Sequence, residues 1–443
     1  MPLVTARGRE DTSVGFALSY NSQQWRYDAG GTWKLGRDTG YGFGWRLQVG
    51  SITPFWSDYY NLHHYLFVNS TGGEYIADTY QDVGGSGAQG YTTKQGAHIW
   101  YDAASNRIYF PDGTFWVMGQ LSGLAEEDAG TRYPTVIEDS NGNMVNISYQ
   151  ADSARITGIS DVRGASYSFS YSTVNGFPHL TGISNLINTN ESYALNYSSG
   201  QTLYSPFTSP VSYGSVALLT SVVQNGIGLT QSFEYDNNGP GELRKAIFPY
   251  KGELRWDYRS FTYTSSRTLR EVQNRYLVQK LGATALTYAI THDDSGDASL
   301  NTHAWTKLAD AGGVGGKKWT FNTTTSSPYF GLETKYEGIA LPSTTISEAD
   351  YTWTQDAIGR VYLGATLSTA DPGQTYAKQS KVEQTLDAFG NVTQKKIFDY
   401  GNLTTAARTF NTSYLGTTPY KERNILNRPT SATVTDGTNT ITL

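Results

Sequence analysis

Six histidines and one cluster of aspartates are the residues of this chain that could hold a metal ion or move a proton. His63 and His64 are adjacent, and neighbouring residues on a strand point to opposite faces, so we expect this pair to be poorly placed to hold one ion. Asp293-Asp-Ser-Gly-Asp297 gathers three carboxylates. It lacks the alternating ligands and the later Glu of an EF-hand calcium loop. A casual cation site and a polar hairpin loop both remain open there, and the hairpin loop is favoured. We assign no metal ligand.

Motifs for nucleophilic catalysis and for phosphate binding are absent from the sequence. The chain has no Cys, which excludes disulfides, thiolate zinc sites and cysteine nucleophiles together. Gly84-Gly-Ser-Gly87 does not have the spacing of a serine hydrolase elbow, and Gly312-Gly-Val-Gly-Gly316 lacks the Lys-Ser/Thr ending of a phosphate-binding loop. A glycosidase needs only two carboxylates, which a chain with 39 acidic residues does not exclude. We expect a protein without catalytic residues and without a cofactor.

The charge and hydropathy patterns argue against two classes of partner. The net charge is −6 and Lys and Arg are not clustered, so we expect no nucleic-acid binding. No uninterrupted apolar run approaches the roughly 20 residues of a membrane span, so none is predicted. Met1-Pro-Leu-Val4 is too short for the apolar part of a signal peptide. Either the chain is a fragment, or it is exported by a route that reads no N-terminal signal.

Two tandem hairpins are predicted between residues 131 and 172. The first turns at Asp139-Ser-Asn-Gly-Asn143, where Asn-Gly tolerates positive φ, and the second turns at Asp161-Val-Arg-Gly164. After the second turn, Tyr167-Ser-Phe-Ser-Tyr171 alternates aromatic and polar residues. A period of two predicts a sheet with one apolar face, and the other face is expected to carry Ser, Asn and Thr with few charges.

The hairpin unit repeats along the chain. Thr157-Gly-Ile-Ser160 returns as Thr181-Gly-Ile-Ser184, an offset of 181 − 157 = 24 residues. Tyr167 to Tyr171 returns as Tyr193-Ala-Leu-Asn-Tyr197, an offset of 193 − 167 = 26. A period in the twenties predicts an array of supersecondary units that bury their apolar faces against their neighbours. The predicted turn residues are Asp139, Gly142, Asn143, Asp161, Gly164, Asp387, Gly390 and Asn391, and the predicted repeat-face aromatics are Tyr149, Tyr167, Tyr171, Tyr193 and Tyr197.

The repeated pattern Asp-x-x-Gly-Asn/Arg, followed by a strand that ends in Tyr, resembles the YD repeat of bacterial RHS proteins, Tc-toxin shells and animal teneurins. Leu18-Ser-Tyr-Asn-Ser22 and Gly42-Phe-Gly-Trp45 resemble the opening of an RHS shell, and Asn427-Arg-Pro-Thr430 is similar to an internal phrase of the family. The resemblance runs from about Gly15 to the C-terminus.

The resemblance implies an all-β fold: one long, spiralling antiparallel sheet of hairpins that forms a hollow shell or part of one. We expect residues 1–130 to be an aromatic and Gly-rich start of this shell and residues 131–443 to be the repeat strip, continuous with it. The implied function is a non-catalytic, secreted or cell-surface shell that encloses a polypeptide cargo such as a toxin segment. The alternative is an extracellular carbohydrate-binding or adhesion module, or a self-assembling surface structure. Some RHS proteins cleave themselves at an aspartate in a later segment, but no matching segment occurs here.

The expected partners follow from the same resemblance. They are a downstream polypeptide cargo or a partner subunit, with a glycan left open. Residues 438–443 alternate polar and apolar side chains and are expected to form a strand without a downstream partner. An uncovered sheet edge invites pairing with another chain, so self-association through this edge is also expected.

Overall fold

The structure is a computed structural model of the chain. It describes residues 1–9, 13–27, 33–35, 38–57, 61–82, 89–93, 96–207, 212–236, 239–264, 266–294, 302–312, 315–340 and 344–443. The Gly-rich run at 84–87, residues 295–297 of the aspartate cluster and residues 313–314 therefore lie outside the described residues.

Strands are almost the only regular secondary structure of the described ranges, so the prediction of an all-β fold is confirmed. The strands are β1 Pro2–Arg7, β2 Ser13–Tyr20, β3 Trp25–Tyr27, β4 Trp33–Leu35, β5 Trp45–Gln48, β6 Ser51–Trp56, β7 Leu62–Val68, β8 Glu74–Asp82, β9 Gln89–Thr93, β10 Trp100–Asp102, β11 Arg107–Tyr109, β12 Phe115–Val117, β13 Gln120–Leu121, β14 Arg132–Tyr133, β15 Val136–Glu138, β16 Met144–Tyr149, β17 Ile156–Asp161, β18 Gly164–Val174, β19 Phe177–Asn185, β20 Ser192–Tyr204, β21 Ser212–Gln224, β22 Leu229–Tyr235, β23 Leu243–Ile247, β24 Glu253–Thr262, β25 Thr268–Val278, β26 Leu286–His292, β27 Trp305–Ala309, β28 Gly316–Phe321, β29 Glu333–Ala340, β30 Thr344–Gln355, β31 Val361–Ala370, β32 Lys378–Leu386, β33 Val392–Phe398, β34 Arg408–Tyr414, β35 Pro429–Thr435 and β36 Thr440–Thr442. A 3-10 turn covers Asn225–Ile227, and one short helix, α1, covers Thr418–Glu422.

The chain divides into two compact units. Unit 1 holds residues 1–62, 66–74 and 116–288, and unit 2 holds residues 63–65, 75–115 and 289–443. The predicted division into residues 1–130 and 131–443 stays a prediction. Among the described residues, no helix has the length and apolar character needed to cross a bilayer.

In unit 1, the strands from β15 to β25 pair antiparallel with their sequence neighbours. The period of two decides which side chains are buried. On β16, Val145 and Ile147 are buried while Met144 and Asn146 are exposed. Apolar residues are buried in the same way on other strands, for example Ile159 on β17 and Leu195 on β20. Together they form the apolar core of this unit.

In unit 2, the strands from β27 to β36 also pair in chain order. Most of their residues are half-buried, as on β29. One face carries more charge than the sequence predicted. Lys318 Nζ lies 3.2 Å from Glu337, and Lys335 Nζ lies 3.0 Å from Glu348 and 3.2 Å from Asp350. Lys318 lies opposite Glu337 and Lys335 lies opposite Asp350 on paired strands, and Glu348 is the diagonal neighbour of Lys335, so the expectation of a polar face with few charges is wrong here.

The last strand, β36, pairs with β35. Ile441 is 62% exposed and Leu443 is 71% exposed. Whether this strand pairs with another chain stays a prediction.

Candidate functional site

The turn at Asp139–Asn143 is held by one carboxylate. Its Oδ1 accepts hydrogen bonds from the amides of Asn141 (2.8 Å) and Asn143 (2.9 Å), and its Oδ2 accepts one from the Asn143 side chain (2.8 Å). The backbone closes the turn, because the Gly142 amide donates to the Asp139 carbonyl at 3.0 Å. Asp suits the first position of this turn because its side chain accepts hydrogen bonds from the amides that follow it.

The same scheme recurs in unit 2. Asp387 Oδ1 accepts from the amides of Phe389 (2.8 Å) and Asn391 (3.0 Å), and its Oδ2 accepts from the Asn391 side chain at 2.9 Å. Asp356 makes the equivalent amide contacts, and its Oδ2 accepts from Arg360 Nε at 2.7 Å. Asn and Arg fill the fifth position of the repeat for one reason: each has a side-chain donor that reaches back to the aspartate.

The turn at Asp161–Gly164 is built differently. Asp161 pairs with Gly164 in the ladder, and its carboxylate binds the Arg163 guanidinium at 2.7 Å and the Arg7 amide at 3.0 Å. Burial alone would raise the pKa of the Asp161 carboxyl, but the hydrogen bonds from Arg163, Arg7 and Ser166 hold this pKa well below its usual range. This aspartate joins the hairpin to β1 as well as shaping the turn.

Glycine at the turns is required by backbone conformation. Gly142 has φ of 80°, Gly164 has 98° and Gly390 has 85°, in the region that L-residues with a Cβ rarely adopt. Gly390 carries a second constraint, because a Cβ there would lie 2.5 Å from the His98 ring. Open space surrounds Gly142 and Gly164.

On seven strands, one aromatic residue donates a hydrogen bond to a backbone carbonyl of the preceding segment. The donors and acceptors are Tyr149 to Pro134 (2.9 Å), Tyr171 to Ile156 (2.9 Å), Tyr197 to Leu180 (2.8 Å), Tyr235 to Leu219 (2.6 Å), Tyr258 to Leu243 (2.8 Å) and Tyr414 to Val392 (3.1 Å). Trp353 makes the same bond through Nε1 to the Glu333 carbonyl at 2.6 Å. We call these seven residues the aromatic clasps.

Every aromatic clasp lies beside a β-bulge in the next strand along the chain. The register shifts immediately before Tyr149, Tyr171, Tyr197, Tyr235 and Tyr258 in unit 1, and before Trp353 and Tyr414 in unit 2. A bulge bends its strand and increases the local twist. The clasp hydroxyl or indole N–H binds the preceding segment instead, as Tyr197 binds the Leu180 carbonyl next to the bulge of β19.

Burial raises the pKa of the clasp tyrosines, as it does for Tyr171 and Tyr197, so their hydroxyls stay protonated donors. Two of the predicted repeat-face aromatics are not clasps. The Tyr167 hydroxyl donates to the Thr5 carbonyl on β1 at 3.3 Å. Burial and the nearby Glu191 raise the pKa of Tyr193 to about 12.

The histidines with described partners take part in local packing. Contrary to expectation, His63 and His64 do not diverge, because their Nδ1 atoms lie 2.7 Å apart. His179 is buried, with Nε2 2.9 Å from Asp38 Oδ2 and Nδ1 2.9 Å from the Phe177 carbonyl. Burial and the neighbouring Arg360 lower the pKa of His98.

Sequence reasoning did not select every member of the repeat site. The turn Asp356–Arg360 and the clasps Tyr235, Tyr258, Trp353 and Tyr414 were not among the predicted site residues. The Asp-x-x-Gly spacing does place Asp356 in the repeat, although it was not singled out as a site residue. Trp353 was harder to find, because an indole N–H there replaces the tyrosine hydroxyl.

Comparison with solved structures identifies the fold. The crystal structure of TcdB2-TccC3 matches with a TM-score of 0.60 and 8% sequence identity, over 100% of this chain and 47% of that chain. The chain therefore has the all-β fold of TcdB2-TccC3 over its whole length, and it spans less than half of that protein.

Two other matches are too weak to support a conclusion. The Photorhabdus luminescens Tc holotoxin pore gives a TM-score of 0.24 at 9% identity, over 86% of this chain and 23% of that one. The N-terminal domain of the effector SpvB from Salmonella typhimurium strain LT2 gives 0.25 at 12% identity, over 65% of this chain and 99% of that one. No family model and no curated protein sequence matches this chain.

Proposed function

We propose that the chain is a non-catalytic part of a Tc-toxin-type wall that encloses or carries a polypeptide, and that it acts outside the cell that makes it. The fold match with TcdB2-TccC3, a toxin component, over the full length of this chain carries the proposal. The YD-like turns and the aromatic clasps support the proposal, because their side chains stabilise the turns and hold neighbouring strands together.

The polypeptide would be a downstream segment or a partner subunit. Half-buried strands in unit 2 support this choice, because successive residues of β29 and β31 are nearly all partly exposed, which leaves some surface on both faces available to another chain. A wall needs this availability, whereas an enzyme needs a convergent set of reactive groups in one pocket.

Protease protection tests the proposal. An unstructured reporter polypeptide is fused after Leu443, and its rate of cleavage by a non-specific protease is compared with that of the same reporter fused to a small unrelated globular domain. The expected result is cleavage at least about tenfold slower in the fusion to this chain, because a protease cleaves only segments it can reach. Equal rates in the two fusions contradict the proposal.

A second candidate function is supported by aromatic residues on the surface. Trp56 is 56% exposed, Tyr376 is 63% exposed, and Tyr250 is 82% exposed within the turn that closes between Phe248 and Gly252. Exposed aromatic rings form stacking platforms for sugars, which suits an adhesion module. A glycan array distinguishes the two functions. An adhesion module should bind glycans, and this binding should fall when Trp56, Tyr250 and Tyr376 are replaced by Ala. The wall proposal predicts no glycan binding through these rings.

A further inference from the structure

A polar groove of about 480 Å³ lies across four strands of unit 1. Its floor is a row of side chains in register: Glu234 on β22 faces Lys245 on β23, Lys245 faces Arg255 on β24, and Arg255 faces Tyr276 on β25. The volume falls in the range of small-molecule pockets, about 300–1,000 Å³.

Two cations lie directly opposite each other in this row. Like charges in such a pair destabilise a sheet. Lys245 is offset by Glu234, whose Oε1 lies 2.8 Å from its Nζ. Arg255 is poorly offset, since the Glu253 carboxylate that pairs with it lies 3.9 Å from its Nε. The positive charge at the centre of the row therefore favours an anion between Lys245 and Arg255.

Arg255 also has an unused hydrogen-bond donor. Its guanidinium lies 5.6 Å from the centre of the Tyr276 ring. Its Nε is shielded from solvent and has no acceptor among the described residues. A shielded donor without an acceptor is costly, and a ligand that supplied one would remove the cost.

Other arginines of the same sheet differ in how many of their donors are used. Arg270 donates from Nε at 2.7 Å and from a terminal nitrogen at 2.8 Å to Glu242, which is buried. Arg244 lies 3.1 Å from Asp236 and 3.5 Å from Asp257. A shielded Nε without an acceptor among the described residues also occurs at Arg267, beside β25, so what distinguishes Arg255 is its position in the groove, opposite Lys245.

Groups that recognise hydroxyls lie beside the cationic pair. The Asp257 carboxylate accepts a hydrogen bond from the Tyr276 hydroxyl at 2.6 Å, and its side chain is 44% exposed, so it keeps acceptor capacity for a ligand. Thr287 adds a hydroxyl to the groove wall. The combination calls for a ligand with one carboxylate and several hydroxyl groups.

We propose that this groove binds a carboxylate-bearing sugar of the uronic acid type. Its carboxylate lies between Lys245 and Arg255, and its hydroxyls donate to Asp257 and contact Tyr276. An acidic peptide fits less well, because its further carboxylates would meet the negative charge of Asp257. The site is independent of the proposed cargo-carrying role, and either can fail while the other stands.

Ligand-observed NMR titration of the full chain with glucuronate, glucose, acetate and a glutamate-rich peptide tests the site. We expect glucuronate to bind at least about tenfold more tightly than the other three probes, because it alone uses both the cations and Asp257. Acetate or the peptide binding as tightly as glucuronate overturns the assignment to a sugar, and so does the absence of saturable glucuronate binding.

Variants locate the binding. Arg255→Gln and Lys245→Gln should each weaken glucuronate binding about tenfold or more, because each loses a charge-assisted hydrogen bond. Asp257→Asn should weaken glucuronate and strengthen acetate, since it removes a hydroxyl acceptor and a repelling charge. Arg275→Gln is the matched control on the opposite face of β25 and should bind normally.

Melting temperatures of all four variants show whether each is folded. Unchanged glucuronate binding in folded Arg255→Gln and Lys245→Gln proteins overturns the site. If Arg255→Gln does not fold, the site is tested by the other two variants: Lys245→Gln should bind glucuronate more weakly, and Asp257→Asn should bind acetate more tightly.

Discussion

At the scale of single residues, the aromatic clasps are the most informative side chains of the chain. Each gives one hydrogen bond to a backbone carbonyl of the preceding segment. The acceptor of Tyr197 belongs to Leu180, whose own surface is fully buried. A buried carbonyl without a donor destabilises a protein.

We therefore expect Tyr197→Phe to lower the free energy of unfolding by about 1–3 kcal/mol, because the Leu180 carbonyl loses its donor while the ring is kept. Tyr400→Phe is the control, since Tyr400 is 63% exposed. Urea unfolding measures both. Equal effects of the two substitutions would show that the clasp hydroxyl does not stabilise the hairpin.

His179 gives a pH-dependent prediction. Burial alone would lower its pKa, but its hydrogen bond and charge interaction with Asp38 prevail and raise the pKa above the ordinary value. Protonated His179 therefore stabilises the fold fully below about pH 6.5, and this contribution is lost as the pH rises through the raised pKa.

The measurement is urea unfolding of the wild-type protein and His179→Gln at pH 5.5 and pH 8.5. The variant should lose more stability at pH 5.5 than at pH 8.5. His64→Gln is the control, because burial and His63 lower the pKa of His64, so the sign is opposite. A loss for His179→Gln that is equal at both pH values contradicts the prediction.

At the scale of elements, the turns separate backbone strain from crowding. Gly142 and Gly390 have nearly the same φ, but only Gly390 lies against His98. Replacing Gly142, Gly164 or Gly390 with Val should destabilise by about 1–3 kcal/mol through strain at positive φ.

The pair Gly142→Ala and Gly390→Ala tests the difference. Both introduce strain, and Gly390→Ala must also displace the His98 ring, so its melting temperature should fall further. Gly142→Asn is the matched control and should lose less than Gly142→Ala, because Asn tolerates positive φ. Unchanged melting temperatures in all three Val variants would contradict the hairpin assignment itself.

Some of these elements were predictable from sequence, and others were not. Asp139 and Gly142 stand out because their residue types suit one local geometry. The hydrogen-bond acceptor of Tyr197 and the ion pairs of Lys335 could not be predicted from sequence, since both depend on the register between two strands. Lys335 and Glu348 meet only because β29 and β30 pair as they do. A bulge also shifts the register by one residue, which a strict period of two does not reveal.

At the scale of the whole molecule, the proposal of a non-catalytic wall predicts no turnover. We expect no activity of the purified chain on a broad panel of ester, peptide, phosphate and glycoside substrates. A glycosidase is the class that the sequence left open, so glycosides are the most demanding part of the panel. Turnover that one Asp or Glu substitution abolishes would contradict the non-catalytic part of the proposal.

The central claim is that the hairpin sheet forms the wall of a container. An electron cryomicroscopy map of the chain fused to a downstream polypeptide tests it most directly, because such a map shows both the sheet and what lies against it. The account predicts a thin curved sheet with the density of the added polypeptide on its concave side. A compact particle such as a propeller, with the added polypeptide free in solvent, would contradict it.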